Sequence, residues 1–201
     1  MWRVLPIAAL AAILAACAAP TPRREDIPTR ASDFRPSQIR QPVVFARLQL
    51  DGRYSDEERK TMPQKLEGVL LDELNAHAVL AKEVRVSVGD ATRDPGPAIA
   101  RARELRADHV ILVDVRVARG LLLFCQGTRR RFQATATRCG QAAEVLRTSD
   151  GLVRLRIVPG SLPPVADLDP DCDNPRDSRR LTTTETFAES VKQLMTRLLA
   201  S

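Results

Sequence analysis

Apolar residues in segment 41–200 change their spacing repeatedly, and this alternation restricts the fold more than any other feature of the sequence. Segments with an apolar residue at every second position predict β-strands, whereas spacings of three and four predict amphipathic helices. The segments follow the order β-α-β-α-β-β-β-β-α. This order predicts an α/β (α+β) domain in which helices pack on a mixed β-sheet of about five to six strands.

Six segments have the character of strands. The strongest is 109–118, whose first half is apolar on both faces, as expected for a central strand that is covered by helices. The run Ser149-Asp150-Gly151 separates the last two strands and predicts a hairpin turn. The predicted strands are 43–50, 84–88, 109–118, 130–138, 143–148 and 152–158.

Three helical segments accompany these strands. The first is predicted over 62–76, because Pro63 removes a backbone donor and is expected to interrupt any longer helix that begins at Ser55. The second begins after Asp94 and the third after Thr182, two residue types that accept hydrogen bonds from free amides at helix starts. The predicted apolar face of the third helix consists of Phe187, Val191, Leu194, Met195 and Leu198.

The amino-terminal segment has the character of an export signal. Arg3 is followed by an uncharged, mostly apolar run over 4–16, which is short for a membrane span of about 20 residues but suits a secretory signal. Leu14-Ala15-Ala16-Cys17 resembles a bacterial lipobox. The resemblance implies cleavage before Cys17 and a diacylglyceryl group on its thiol. The alternatives are an ordinary secretory signal with an incidental cysteine, or a short membrane helix.

The segment behind the cysteine predicts a tether and a location. Residues 17–42 are rich in proline and arginine without an apolar period, which predicts a semi-rigid linker, although Phe34 and Ile39 could pack on the domain. Ala18 is not the aspartate that retains enteric lipoproteins at the inner membrane, so the resemblance implies the outer membrane, facing the periplasm or the cell surface. The predicted parts are a signal peptide (1–16), the tether (17–42) and one domain (43–201).

A wider resemblance rests on the opening strand, the first helix and the segment Ala100–Val113, which contains Ala107-Asp108 before a hydrophobic strand. These features resemble the amino-terminal domain of the periplasmic protein TolB, and the domains of curli-export and penicillin-binding-protein-activator lipoproteins are similar. The resemblance covers about residues 41–158. It implies a protein–protein interaction module of the envelope and supplies no catalytic residues. We therefore expect an envelope protein as partner and the membrane as anchor.

Composition argues against several functions. Aromatic residues make up only 3% of the chain, which leaves few rings to stack on bases or sugars. The formal net charge is +6, and arginines beside a lipid anchor suit an anionic membrane surface better than nucleic acid. His77 and His109, the two histidines, lack a nearby serine and acid in a catalytic pattern. We expect no enzyme and no cofactor; the alternatives are a small-ligand-binding lipoprotein or a hydrolase.

Three cysteines remain besides Cys17, and an exported domain meets an oxidising environment in which disulfides form. If residues 110–138 form a hairpin, Cys125 lies near its turn and Cys139 at its opposite end. Bridged Cα atoms must approach within about 7 Å, so those two cannot pair. Cys172 follows a strand expected to run back toward Cys139, which predicts a Cys139–Cys172 disulfide.

One basic run is a candidate binding site. Arg129, Arg130 and Arg131 are consecutive and could bind a phosphate, a small anionic molecule or an acidic partner. The alternative is a charged loop tip or edge strand that prevents aggregation. The acidic segment 167–177 begins like a calcium loop but lacks the glycine and glutamate of that motif, so we expect a solvated loop and no metal.

Overall fold

The computed structural model describes residues 29–89, 94–126 and 131–199 of the chain. Cys17 with its lipobox-like segment lies outside these described residues, as do Arg129 and Arg130. The strands are β1 (Thr29–Arg30), β2 (Val43–Asp51), β3 (Glu83–Val88), β4 (His109–Phe124), β5 (Phe132–Arg147), β6 (Val153–Ile157), β7 (Val165–Ala166), β8 (Leu168–Asp169) and β9 (Arg179–Arg180). The helices are α1 (Asp56–Ala76), α2 (Gly96–Glu104) and α3 (Thr183–Leu199).

Seven of the strands form one mixed sheet in the order β1-β6-β5-β4-β2-β3, with β7 paired to β5. Strand β2 lies between β3 and β4 and is parallel to both, whereas β4, β5 and β6 form an antiparallel meander. Strands β8 and β9 form a separate two-stranded ribbon. The predicted class, a mixed sheet with helices packed on it, is confirmed.

The two faces of the sheet are covered unequally. Helices α1 and α3 pack against each other and on one face, where they enclose the larger hydrophobic core. Helix α2 packs on the other face, against β2 and β4, around a smaller core that contains Val43, Ala102 and Val110. Because strand side chains alternate between faces, Val43 and Val44 belong to different cores.

Helix α3 closes the larger core as its sequence predicts. Thr182 and Glu185 form a reciprocal cap, in which each side chain accepts a hydrogen bond from the other residue's amide, at 3.2 and 2.7 Å. The predicted apolar face is confirmed, since no member of it is more than 1% exposed: Phe187, Val191, Leu194, Met195 and Leu198. Among the described helices, none combines the length and apolar character that a membrane crossing needs.

The interruption predicted at Pro63 is wrong, because α1 continues through this proline from its start after Ser55. Ser55 and Glu58 cap each other, with the Ser55 amide donating to Glu58 Oε2 at 2.8 Å, and this holds the first turn. The carbonyl that Pro63 leaves without an amide donor belongs to Arg59, which is exposed and accessible to water. Buried Met62 fixes the same turn to the core.

The meander contains fewer and longer strands than the sequence predicts. The two strands predicted over 130–138 and 143–148 form one continuous strand, β5, which pairs with β4 over the full length of both. Gly140 does not end the ladder, because Arg116 lies opposite it and continues the pairing. The hairpin turn predicted at Ser149–Gly151 is confirmed by the antiparallel pairing of β5 with β6.

The predicted Cys139–Cys172 disulfide is wrong: Cys172 is bonded to Cys125, with Cα atoms 5.6 Å apart, and Cys139 is a free, buried thiol. Cys139 lies within β5 opposite Val117 and faces the larger core. Strand β7 pairs antiparallel to β5 with Val165 opposite Cys139, so the chain that follows runs toward the hairpin tip. It therefore carries Cys172 to Cys125.

Residues 29–42, the described part of the predicted tether, pack on the domain. Strand β1 pairs with the outer edge of β6, and Ala31 donates a backbone hydrogen bond to Arg154. Phe34 and Ile39 are 2% and 3% exposed and belong to the larger core. The packed domain therefore includes residues before β2.

Candidate functional site

The sheet face that carries α2 is only partly covered. Helix α2 has nine residues and seals the beginning of β4, where Ala98 and Ala102 pack on Val43 and Val110. The sheet continues beyond this helix, and the side chains of β2, β4, β5 and β6 that point to this face line a cleft of about 500 Å³. We call this space the sheet-face cleft. Its volume lies within the range of ligand-binding sites in proteins.

The floor of the sheet-face cleft combines apolar and charged side chains. Phe45, Leu112, Glu144 and Arg156 stand in one row across β2, β4, β5 and β6, because each is the register partner of the next. The next row contains Arg47, Asp114 and Ala142. The apolar part of one row therefore lies beside the charged part of the next. The first turn of α2 and the segment after β6 form the walls.

Two ion pairs fix the charges of the cleft. Arg47 Nε donates to Asp114 Oδ1 at 2.7 Å between neighbouring parallel strands, and the two side chains are 16% and 32% exposed. Arg156 Nε lies 2.8 Å from Glu144 Oε1 in the same way across β5 and β6. Pairs of this exposure contribute little to stability, so their main effect is to hold positive and negative groups at defined positions.

The predicted arginine run is not part of the cleft. Arg131, its described member, is exposed at the end of the β4–β5 hairpin, directly before β5. The hairpin is held there by the stacked rings of Phe124 and Phe132, whose centroids are 5.4 Å apart, and by the Cys125–Cys172 disulfide. The site predicted from the basic run and the site formed by the sheet are therefore separate.

The carboxylates of the acidic segment 167–177 form hydrogen bonds and ion pairs that stabilise the loop itself. Asp171 Oδ1 accepts hydrogen bonds from the amides of Asp173 and Asn174, which forms a turn. Asp167 accepts from the Thr137 amide and pairs with Arg180. Within the described ranges, no group of three or more His, Cys, Asp or Glu residues is arranged to hold a metal ion.

The free thiol of Cys139 is buried and therefore poorly reactive. Cys139 is fully buried among apolar residues, and this burial raises the pKa of its thiol to about 11. A thiol needs to ionise before it can act as a nucleophile. Cys139 therefore serves as a core residue.

The sheet-face cleft has no continuous motif in the sequence. Its charged members, Arg47, Asp114, Glu144 and Arg156, each interrupt an apolar strand pattern, and this was the signal available. The four positions are spread over four strands, so only the register of the sheet shows that they share a face.

Comparisons with known proteins give no family: no family model matches the chain, and no curated protein is significantly similar in sequence. Among solved structures, the PelC dodecamer from Paraburkholderia phytofirmans is similar at 13% identity and a TM-score of 0.43, covering 87% of this chain and 96% of that chain. Lipoprotein GNA1162 from Neisseria meningitidis is similar at 10% identity and a TM-score of 0.35, covering 80% and 99%. A minor lipoprotein from Acinetobacter baumannii is similar at 12% identity and a TM-score of 0.30, covering 76% and 89%. The similar structures include bacterial lipoproteins, but at these values they assign neither a family nor a function.

Proposed function

We propose that the chain is a lipid-anchored protein of the bacterial envelope, held at the outer membrane through Cys17, whose domain binds a partner protein without catalysis. The observation that carries the proposal is the unequal coverage of the sheet. One face is sealed by α1 and α3, whereas the other leaves a cleft of about 500 Å³ over four strands. The lipobox-like segment ending at Cys17 supports the location.

The proposed occupant is a short extended segment of the partner. The cleft has room for a few residues and not for a folded domain. Phe45 and Leu112 offer an apolar surface for one side chain, while Arg156 and Glu144 stand beside it with opposite charges. An apolar side chain flanked by polar or charged neighbours complements this arrangement, because charge complementarity across an interface sets specificity and register.

Catalysis is not required by this arrangement. The carboxylate of Asp114 accepts a hydrogen bond from Arg47, and the carboxylate of Glu144 forms an ion pair with Arg156, each arginine lying on the neighbouring strand. Such pairs keep charges in place for recognition, whereas acid–base catalysis needs a group that can exchange a proton with a substrate.

Position-specific crosslinking in cells tests the proposed site. A photoreactive residue at Leu112, in the cleft, should crosslink to one discrete envelope protein, and the same residue at Leu71, exposed on α1, should not. The variant Glu144→Arg should abolish that product because it places like charges together, and Glu144→Arg with Arg156→Glu should restore it. Equal crosslinking from Leu112 and Leu71, or an unchanged product in Glu144→Arg, would contradict the proposal.

The anchor has an independent test. Changing Cys17 to Ala removes the thiol that the proposed lipid requires, so the variant should leave the membrane fraction. Changing Ala18 to Ser, which keeps the cysteine, is the control and should remain with membranes. Membrane retention of the Cys17→Ala variant would show that lipidation is not the anchor.

A further inference from the structure

A second cavity, of about 860 Å³, lies at the carboxyl end of α2 and shares no lining residue with the sheet-face cleft. Its walls are the end of α2, the start of β4, the turn between β5 and β6 and part of the segment before β2. Five arginines line it, and we call it the arginine pocket. These residues are Arg40, Arg103, Arg106, Arg147 and Arg154.

Positive charge in the arginine pocket exceeds the negative charge around it. Two aspartates, Asp33 and Asp108, face the five arginines. Arg147 and Arg154 are held by Asp150, and Arg154 also lies 3.2 Å from Asp33. The other three arginines have no carboxylate partner within the described residues.

Those three arginines are available for an anion. Arg103 Nε donates to the backbone carbonyl of Thr148 at 3.3 Å. The terminal amino groups of Arg103 have no hydrogen-bond partner within the described residues. The side chains of Arg40 and Arg106 are exposed and make no hydrogen bond or ion pair within the described part of the chain.

Buried polar atoms converge on the same pocket. His109 and Thr148 are 7% and 6% exposed, and within the described residues neither His109 Nδ1 nor Thr148 Oγ1 has a hydrogen-bond partner. Arg154 Nε, on a side chain that is 11% exposed, also has no hydrogen-bond partner within the described residues. Buried polar groups in proteins are hydrogen-bonded in the great majority of cases. The three atoms belong to residues that line one positively charged cavity, the arrangement expected where a polar ligand completes the hydrogen bonding.

We propose that the arginine pocket binds the phosphate monoester group of an anionic ligand. A guanidinium group presents two parallel N–H donors that match the oxygens of phosphate, and several arginines can contact different oxygens of one group. The Thr148 hydroxyl and the His109 ring add donors of the kind that complete such a site. Nothing in this assignment depends on the sheet-face cleft.

The size of the pocket points to a ligand larger than the phosphate itself. A free phosphate would fill a small part of 860 Å³, so the cavity has room for the organic part of an ester. The phosphate can belong to a lipid headgroup or to a soluble ester, and the two sources share the chemistry that the arginines recognise.

The first arm of the test titrates the purified protein with inorganic phosphate at constant ionic strength and measures heats of binding. The double variant Arg40→Gln with Arg106→Gln, the pocket variant, removes two charges that make no hydrogen bond or ion pair within the described residues, so the fold should be retained. Its affinity for phosphate should fall by about tenfold or more, because hydrogen bonds to charged groups are lost. The matched control is Arg59→Gln with Arg197→Gln, which removes two exposed charges from α1 and α3.

The second arm identifies the source of the phosphate. The protein is mixed with phosphatidylcholine vesicles that either contain or lack phosphatidic acid, and hydrogen exchange is measured at the amides of His109 and Thr148. Protection that requires phosphatidic acid and is lost in the pocket variant, but not in the control variant, supports the proposal with a lipid headgroup as the source.

The outcomes of the two arms are distinct. If inorganic phosphate binds and only the pocket variant weakens this binding, the proposal is supported, and a soluble ester is sufficient as the source of the phosphate. Absence of binding in both arms would overturn it, as would equal losses in the pocket and control variants, which would show only the effect of net charge. Either result leaves the crosslinking test of the sheet-face cleft unaffected, since the two cavities share no residue.

Discussion

Ser190 on α3 donates a hydrogen bond of 2.8 Å from its hydroxyl to the side-chain carbonyl of Gln141 on β5, and both residues are buried. This contact joins the carboxyl-terminal helix to the meander inside an apolar interface. Gln141 Nε2 has no hydrogen-bond partner within the described residues. Among those residues, the side-chain amide of Gln141 is therefore hydrogen-bonded only at its carbonyl, by the hydroxyl of Ser190.

Removing the Ser190 hydroxyl should destabilise the domain. We expect Ser190→Ala to lower the free energy of unfolding by about 1–3 kcal/mol, because Gln141 then keeps a buried carbonyl without a donor. Urea unfolding measures the change. Combining Ser190→Ala with Gln141→Met replaces both polar partners and should cost less than Ser190→Ala alone. A double variant that is less stable than the single one would contradict this account.

The Cys125–Cys172 disulfide should contribute a large part of the stability. The two cysteines are 47 residues apart, and closing a loop of that length corresponds to about 4 kcal/mol on the chain-entropy scale. Reduction, or Cys172→Ala, should therefore lower the midpoint of thermal unfolding. The effect of reductant should persist in Cys139→Ala and disappear in Cys172→Ala. If Cys139→Ala abolished the response to reductant, the pairing described here would be wrong.

Local signals of the sequence were sufficient for helix α3 and insufficient for the pairing of the strands. The face of α3 and its cap at Thr182 depend on spacings within one helix, and they are confirmed. The partner of Cys172 depends on β7, a two-residue strand whose antiparallel pairing with β5 sets the direction of the following chain. A strand so short leaves no periodic signal.

The candidate binding sites also differ in whether the sequence alone reveals them. A run such as Arg129–Arg131 is visible in the sequence because its members are consecutive. The arginine pocket was not predicted, since its members Arg40, Arg103 and Arg147 belong to three separate segments that only the fold brings together. Buried atoms without a partner among the described residues, such as His109 Nδ1, are a property of packing and have no sequence signature.

The Glu58–Arg119 pair should make stability depend on acid pH. Arg119 donates to Glu58 Oε1 at 2.6 Å, and this hydrogen bond is the main cause that lowers the pKa of Glu58 from 4.5 to about 2. A carboxyl with a lowered pKa in the folded state contributes stability above pH 4.5 that is lost as the pH falls toward 2. Glu58 is about one-third exposed, so solvent screening limits the contribution to at most about 1 kcal/mol.

Urea unfolding at several pH values measures this contribution. The variant Glu58→Gln keeps a side chain that can cap the helix but removes the titrating group, so its stability should fall less steeply between pH 4.5 and 2. Glu57→Gln is the control, because no arginine in the described part of the chain donates to Glu57. An acid slope that is unchanged in Glu58→Gln would show that this pair does not titrate as described.

His109 should report on ligand binding in the arginine pocket through its own protonation. Burial is the main cause that lowers the pKa of His109 below 6.5; Asp108 raises it, and Arg147 and Arg154 lower it. Because the pKa of His109 is higher in the unfolded chain than in the folded domain, the unfolded chain binds the proton first. The free energy of unfolding should therefore fall as the pH drops below 6.5. The slope cannot exceed about 1.4 kcal/mol per pH unit for one group, and it should vanish in His109→Gln.

A bound phosphate should reverse part of this shift. Negative charge beside the ring favours the imidazolium form, so the pKa of His109 should rise when phosphate is added. Proton NMR of the His109 ring measures the titration with and without phosphate at constant ionic strength. In the Arg40→Gln with Arg106→Gln variant the response to phosphate should be reduced. If His109 titrated identically with and without phosphate while calorimetry showed phosphate bound, the anion would have to bind outside the arginine pocket.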